Sequence, residues 1–210
     1  MSRIRKHRVK KALIRHEQPK KKMSKKMLMT IIIGGLMVLS VFGIMFSSYN
    51  SGNEKVEYGE YTFQRTAKGW TTEIGGKKAE FSYLPEDIEE LEISKEVADK
   101  LKASKVVYIT FNPNTKSVQK FELMRFELGN AMSQLRGVYT MAGVSEENEK
   151  YNQPLVDCSN ATATVPVISI TEGNETKAYL DGECIVLESD EYAAGVLKDR
   201  VLYALLGIIK

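Results

Sequence analysis

One stretch restricts this chain more than any other: MLMTIIIGGLMVLSVFGIMF, Met27 to Phe46, which carries no charged residue. At ~1.5 Å per residue, a helix of this length reaches ~30 Å, the thickness of a bilayer's hydrocarbon. Its Leu, Ile, Val and Phe residues each favour insertion by roughly 0.3–0.6 kcal/mol. Gly34, Gly35, Gly43, Thr30 and Ser40 take back part of that gain, but no acid or base opposes it. A helix in a soluble core usually keeps a polar stripe, and none is present here. The sequence predicts a transmembrane helix over 27–47.

The flanks orient it. Lys20, Lys21, Lys22, Lys25 and Lys26 abut its N-terminal end, whereas the first base beyond it is Lys55. The positive-inside bias places the N-terminus in the cytosol and the C-terminal part across the cell membrane. Charge follows the same division. Residues 1–26 are basic, with Glu17 as their one acid, and the part after the helix is net acidic, although the whole chain is only +3. A cleavable signal peptide would have a shorter apolar core and a small-residue exit. The sequence FSSYNSG after Met45 does not supply one, so an uncleaved signal anchor is expected. The expected organisation is a basic cytosolic leader over 1–26, the span over 27–47, a polar tether over 48–57 and an extracytoplasmic domain over 58–210.

Two features of that domain agree with export. Its cysteines, Cys158 and Cys184, are the only two in the chain, and oxidising compartments favour a disulfide between such a pair. Closing the loop would contribute roughly 3 kcal/mol on the chain-entropy account. Asn160-Ala161-Thr162 and Asn174-Glu175-Thr176 match the N-glycan acceptor pattern. Asn160 and Asn174 are therefore candidate glycosylation sites.

From Tyr58 onward the pattern alternates. YTFQR, WTTEI and AEFSYL, separated by Lys68-Gly69 and Gly75-Gly76, read as an antiparallel meander. Ser94 is the N-cap of a short helix carrying Val97 and Leu101. KVVYITF reads as a buried strand, and Phe121, Met124, Leu128, Met132 and Leu135 mark one face of a helix over about 117–135. GVYTMAG follows as a strand. VISIT, TKAYL and ECIVLE, divided by turns at Gly173-Asn174 and Asp181-Gly182, suggest a second meander before a terminal helix. In that helix Lys198-Asp199-Arg200 interrupts the apolar face. The expected class is α+β: one N-terminal transmembrane helix, then one exported domain with a mixed or antiparallel sheet packed by helices.

The DCSNAT run at 157–162, the later CIVLE and the KDRVLYALLGI of the terminal helix resemble those of uncharacterised archaeal single-pass membrane-anchored proteins. That resemblance covers mainly residues 157–208 and implies an anchored exported domain without an assigned activity. In element order, residues 105–208 also resemble a thioredoxin-like arrangement, with Val165-Pro166 before a strand. The Cys-x-x-Cys of that family is absent, so no redox catalysis is implied.

Several chemistries are excluded by residue type. His7 and His16 both lie in the leader, so the exported domain alone cannot assemble a Ser-His-Asp triad or an imidazole zinc site. No phosphate-binding glycine motif occurs, and no cofactor is expected. Carboxylates are plentiful. Asp157, Glu172, Asp181 and Glu183 would need to gather to hold Ca²⁺, and turn residues beside strands are the simpler reading. The leader lacks aromatic rings for base stacking, which argues against nucleic acid and for anionic lipid headgroups. The sequence thus suggests a single-pass envelope protein whose domain binds or scaffolds an unidentified protein partner. The alternative is a membrane-tethered enzyme without histidine, a carboxylate hydrolase or a thiol-disulfide protein.

Overall fold

The computed structural model describes residues 24–50 and 54–209. Most of the basic leader, residues 1–23, and tether residues 51–53 lie outside the described residues. The chain divides into two compact units, with the boundary between Phe46 and Ser47.

Helix α1, Lys25–Asn50, supplies the described part of the first unit and runs four residues past the boundary. Its window Lys25–Gly43 has a mean hydropathy of 2.0, none of it is buried, and by length and composition it can cross a membrane. The local chemistry suits an apolar solvent. Ser24 Oγ accepts from the Met27 amide, capping the first turn. Thr30 and Ser40 donate their hydroxyls back to the carbonyls of Lys26 and Leu36, at 3.0 and 2.8 Å. Hydroxyls bonded within their own helix can enter hydrocarbon without losing a partner.

The second unit contains two sheets. The first is antiparallel, with strands β1 (Lys55–Tyr58), β2 (Tyr61–Thr66), β3 (Gly69–Ile74) and β4 (Lys77–Phe81) in sequential order. β1 falls where the sequence suggests tether. Lys55-Val56-Glu57-Tyr58 is polar overall, but it alternates, and Val56 and Tyr58 pack on the core while the charges face out. The β2–β3 turn needs Gly69: its φ is +140°, and a Cβ there would lie 2.2 Å from the Phe81 carbonyl oxygen.

Two short helices, α2 (Pro85–Ile88) and α3 (Lys95–Ala103), lead into the second sheet. Ser94 caps α3 as expected, its Oγ accepting from the Val97 amide. The sheet's strands are β5 (Val106–Phe111), β6 (Tyr139–Ala142), β7 (Val167–Glu172), β8 (Lys177–Asp181) and β9 (Cys184–Ser189), in the order β6-β5-β7-β9-β8. Between them run α4 (Val118–Arg136) and, at the end, α5 (Ala194–Leu206). The last three strands do not form the expected meander. β9 inserts beside β7 in parallel, and β8 pairs antiparallel with β9 on the outer edge. The tight turn at Asp181-Gly182 forms a hairpin, whereas residues 173–176 carry the chain past β9.

The helices form a layer between the sheets. α4 packs on β5 and β6 and also on β4, and α5 packs on β8, β9 and α3. Tyr203 of α5 meets the first sheet directly, stacking on Phe81 at 4.3 Å and meeting Phe63 edge-on at 6.0 Å. Covered on both sides, α5 is buried around its whole circumference, including Lys198, Asp199 and Arg200.

Strand alternation gives the second sheet two distinct faces. Val107, Ile109, Phe111, Ile168, Ile170, Ile185 and Leu187 face the helices. Tyr108, Val167, Cys184 and Val186 face the other way, into a smaller cluster with Val156, Cys158 and Ala161. The segment 145–166 covers that second face.

Candidate functional site

Cys158 and Cys184 are disulfide-bonded, with Cα atoms 5.2 Å apart, and no free cysteine remains. Cys184 opens β9 and is wholly buried, while Cys158 starts a 3-10 turn over Cys158–Asn160. The bond ties the covering segment to the sheet. Asn160 and Asn174 are both exposed. Asn160 Oδ1 accepts from the Asp157 amide at 2.9 Å, which leaves Nδ2, the atom a glycan would take, without a bond among the described residues.

Of the four acids considered for Ca²⁺, the structure brings only two together. Asp157 and Glu172 line one cleft, whereas Asp181 and Glu183 sit at the β8–β9 turn, where Glu183 pairs with Lys100. Among the described residues no group of three or more His, Cys, Asp or Glu is placed to hold a metal ion.

That cleft lies at the C-terminal ends of β5 and β7. From β5 the chain crosses through α4 to β6 on one side, and β7 lies on the other side of β5. Neighbouring connections diverge there, which opens a crevice where ligands of open α/β sheets commonly bind. The cavity is about 590 Å³, and its lining includes Asn112, Ser145, Glu146, Asp157, Ser169 and Glu172. Its carboxylates are fixed by neutral donors. Glu172 accepts from the hydroxyls of Thr115 and Ser117 just before α4, the latter at 2.7 Å. Glu146 takes the side-chain amides of Asn112 and Asn114 at 2.8 and 3.0 Å. Asp157 Oδ1 accepts from the Ser159 hydroxyl and amide at 2.5 and 2.8 Å. These bonds hold the Asp157 and Glu172 carboxyls below the usual carboxylate range. They act as acceptors here, not as proton donors.

Sequence reasoning passed over the hydroxyls of this cleft. The signal was present in VISITE, where Ile168 and Ile170 alternate with Ser169 and Thr171, so that the hydroxyls share the face opposite the helices.

A second cleft, about 510 Å³, opens between the first sheet and the helix pair, with Trp70, Phe81, Leu202 and Lys198 in its lining. Beside it, two of the three charges that interrupt α5 pair, Lys198 with Asp199, while Arg200 has no acidic partner among the described residues. Lys198 Nζ lies 2.8 Å from Glu127 and 3.1 Å from Asp199. Burial opposes the Lys198 charge, but Asp199 and Glu127 outweigh it and hold the ammonium above its ordinary range. Asp199 Oδ2 accepts from the amides of Ser82 and Tyr83 at 2.7 and 3.1 Å. Burial pushes its carboxyl up against those bonds and Lys198. Arg200 donates from Nε to the Leu91 carbonyl at 2.7 Å. The trio clamps the β4–α2 and α2–α3 connections onto α5. Every contact it makes is to the fold itself.

Comparison with known protein families, with curated proteins and with solved structures returns no match.

Proposed function

We infer that this is a single-pass membrane protein of the cell envelope whose extracytoplasmic domain binds or scaffolds another component. The observation that carries the reading is the Cys158–Cys184 disulfide, which uses both cysteines of the chain and lies wholly beyond the apolar helix. A disulfide belongs to an oxidising compartment. The lysines before α1 favour the same orientation, with the leader against anionic lipid headgroups on the cytosolic side and α1 in the lipid bilayer. Exposure of Asn160 and Asn174 suits N-glycans in a host that attaches them.

A binding role draws support from the polar cleft beyond β5 and β7. The edge strand β6 adds to it: its Tyr139 and the neighbouring Phe126 of α4 are exposed, and an unpaired strand edge is a template on which another chain can pair. The thioredoxin-like likeness of 105–208 is one of element order. The alternative, an enzyme without histidine, has less behind it. A paired-acid hydrolase needs one carboxyl held protonated, and Asp157 and Glu172 are both shifted the other way. A working disulfide is usually exposed, whereas Cys184 is buried.

The reading is tested on native membranes with a polymer-tagged maleimide. Both thiols should resist labelling until a reductant is added, and the protein should stay in the membrane through an alkaline carbonate wash. Thiols that label without reductant, or a protein released by the wash, would contradict it.

A further inference from the structure

We propose that the cleft at the C-terminal ends of β5 and β7 binds a neutral polyhydroxylated molecule, a sugar or sugar alcohol. This rests on the reading of the domain as a binding module and names the chemistry of its ligand.

Two independent observations point to a ligand. The first is the cleft's place at the divergence of the crossovers around β5, with walls from four separate segments. The second is Ser169. It lines the cleft, is only 6 % exposed, and its hydroxyl has no hydrogen-bond partner among the described residues. The hydroxyl is open to the cleft rather than sealed in the core, so a ligand seated there can both donate to it and accept from it. The side chains of Ser145 and Thr171, also in the lining, make no hydrogen bond among the described residues either.

The chemistry of the lining selects the class. No Lys or Arg is present, and Glu146, Asp157 and Glu172 would repel an anion. The absence of a three-ligand cluster among the described residues argues against a divalent cation. Apart from the disulfide-bonded Cys158, the lining contains no aliphatic or aromatic residue, and its apolar surface comes from the methyls and methylenes of polar side chains, as suits the C–H faces of a sugar. Hydroxyls that both donate and accept, with carboxylates that only accept, complement the hydroxyls of a sugar ring. The carboxylates are already fixed by Thr115, Ser117, Asn112, Asn114 and Ser159, so little ordering remains to be done on binding. The disulfide holds the wall carrying Asp157 and Ser159 in place.

The test uses the oxidised full-length protein in a detergent without a sugar headgroup. Glucose, galactose, mannose, N-acetylglucosamine and glycerol are presented one at a time in saturation-transfer NMR and titration. At least one should bind with a Kd of about 1 mM, as suits a small polar ligand in an open site. Ser169→Ala should weaken that binding at least tenfold while leaving Tm unchanged or raised, because it removes an unpartnered hydroxyl. Ser145→Ala, on a different wall, should weaken it as well. No binding by any of the five, or binding indifferent to both substitutions, would overturn the proposal. So would binding of spermidine or Ca²⁺ in place of the sugars. None of these results bears on thiol protection or membrane retention, so the envelope reading stands or falls separately.

Discussion

Asp199→Asn is the sharpest test of the interior. The side chain is fully buried, accepts from two backbone amides and faces Lys198 at 3.1 Å. Asparagine keeps the shape and one carbonyl oxygen, so neither amide need be orphaned. What changes is charge. A hydrogen bond to an ionised acceptor contributes about 1 kcal/mol more than a neutral one, so the two amides together lose about 2 kcal/mol. The new NH₂ group also faces the Lys198 ammonium, which keeps only the half-exposed Glu127. A further ~1 kcal/mol brings the loss to ~3 kcal/mol, the lower end for breaking a buried pair. Urea unfolding followed by the fluorescence of Trp70, the chain's one tryptophan, reads this directly. With m of ~1.5 kcal/mol/M the midpoint should fall by ~2 M. Lys198→Met should cost less, because Asp199 keeps its amides, and the double variant should fall short of the summed losses by at least ~1 kcal/mol. A midpoint shift under ~0.5 M, or strict additivity, would refute the clamp.

Further expectations concern pH, the staple and one turn. Burial pushes the Tyr203 phenol up, and Lys198 is held up by its acidic partners, so the folded state keeps protons that the unfolded chain releases above about pH 10. Stability should therefore decline with pH on the alkaline side. Tyr203→Phe should flatten that decline by up to ~1.4 kcal/mol per pH unit, and equal slopes for the two proteins would count against it. Replacing Cys158 and Cys184 together by serine should cost about 3 kcal/mol in urea unfolding; a loss below ~1 kcal/mol would show that the staple contributes little. Gly69→Ala should destabilise far more than Gly59→Ala. Both positions have positive φ, at +140° and +58°, but only at Gly69 does a Cβ collide with backbone, so Gly59→Ala should cost only about 1 kcal/mol.

Periodicity made most elements of the domain readable. Phe121, Met124, Leu128 and Met132 marked α4, and the β-branched run at 105–111 marked β5. Pairing was less accessible, because strand order depends on contacts distant in sequence. VISIT, TKAYL and ECIVLE look like consecutive hairpins, and nothing local reveals that β9 slips between β7 and β8. Lys198-Asp199-Arg200 looks like a solvated interruption because a sequence cannot show that α5 lies between two sheets. The cleft was hidden for a related reason. Asn112, Ser145, Asp157 and Ser169 come from separate segments, and only the crossover geometry gathers them. The disulfide was legible because two cysteines admit one pairing.

The central claim is that the domain stands outside the membrane, held by its own N-terminal helix. Adding a membrane-impermeant protease to intact cells tests it most directly, with one tag on the leader and another at the C-terminus. The account predicts that the C-terminal tag is lost while a short fragment with the N-terminal tag stays protected in the membrane. Survival of the C-terminal tag until the cells are lysed would contradict it.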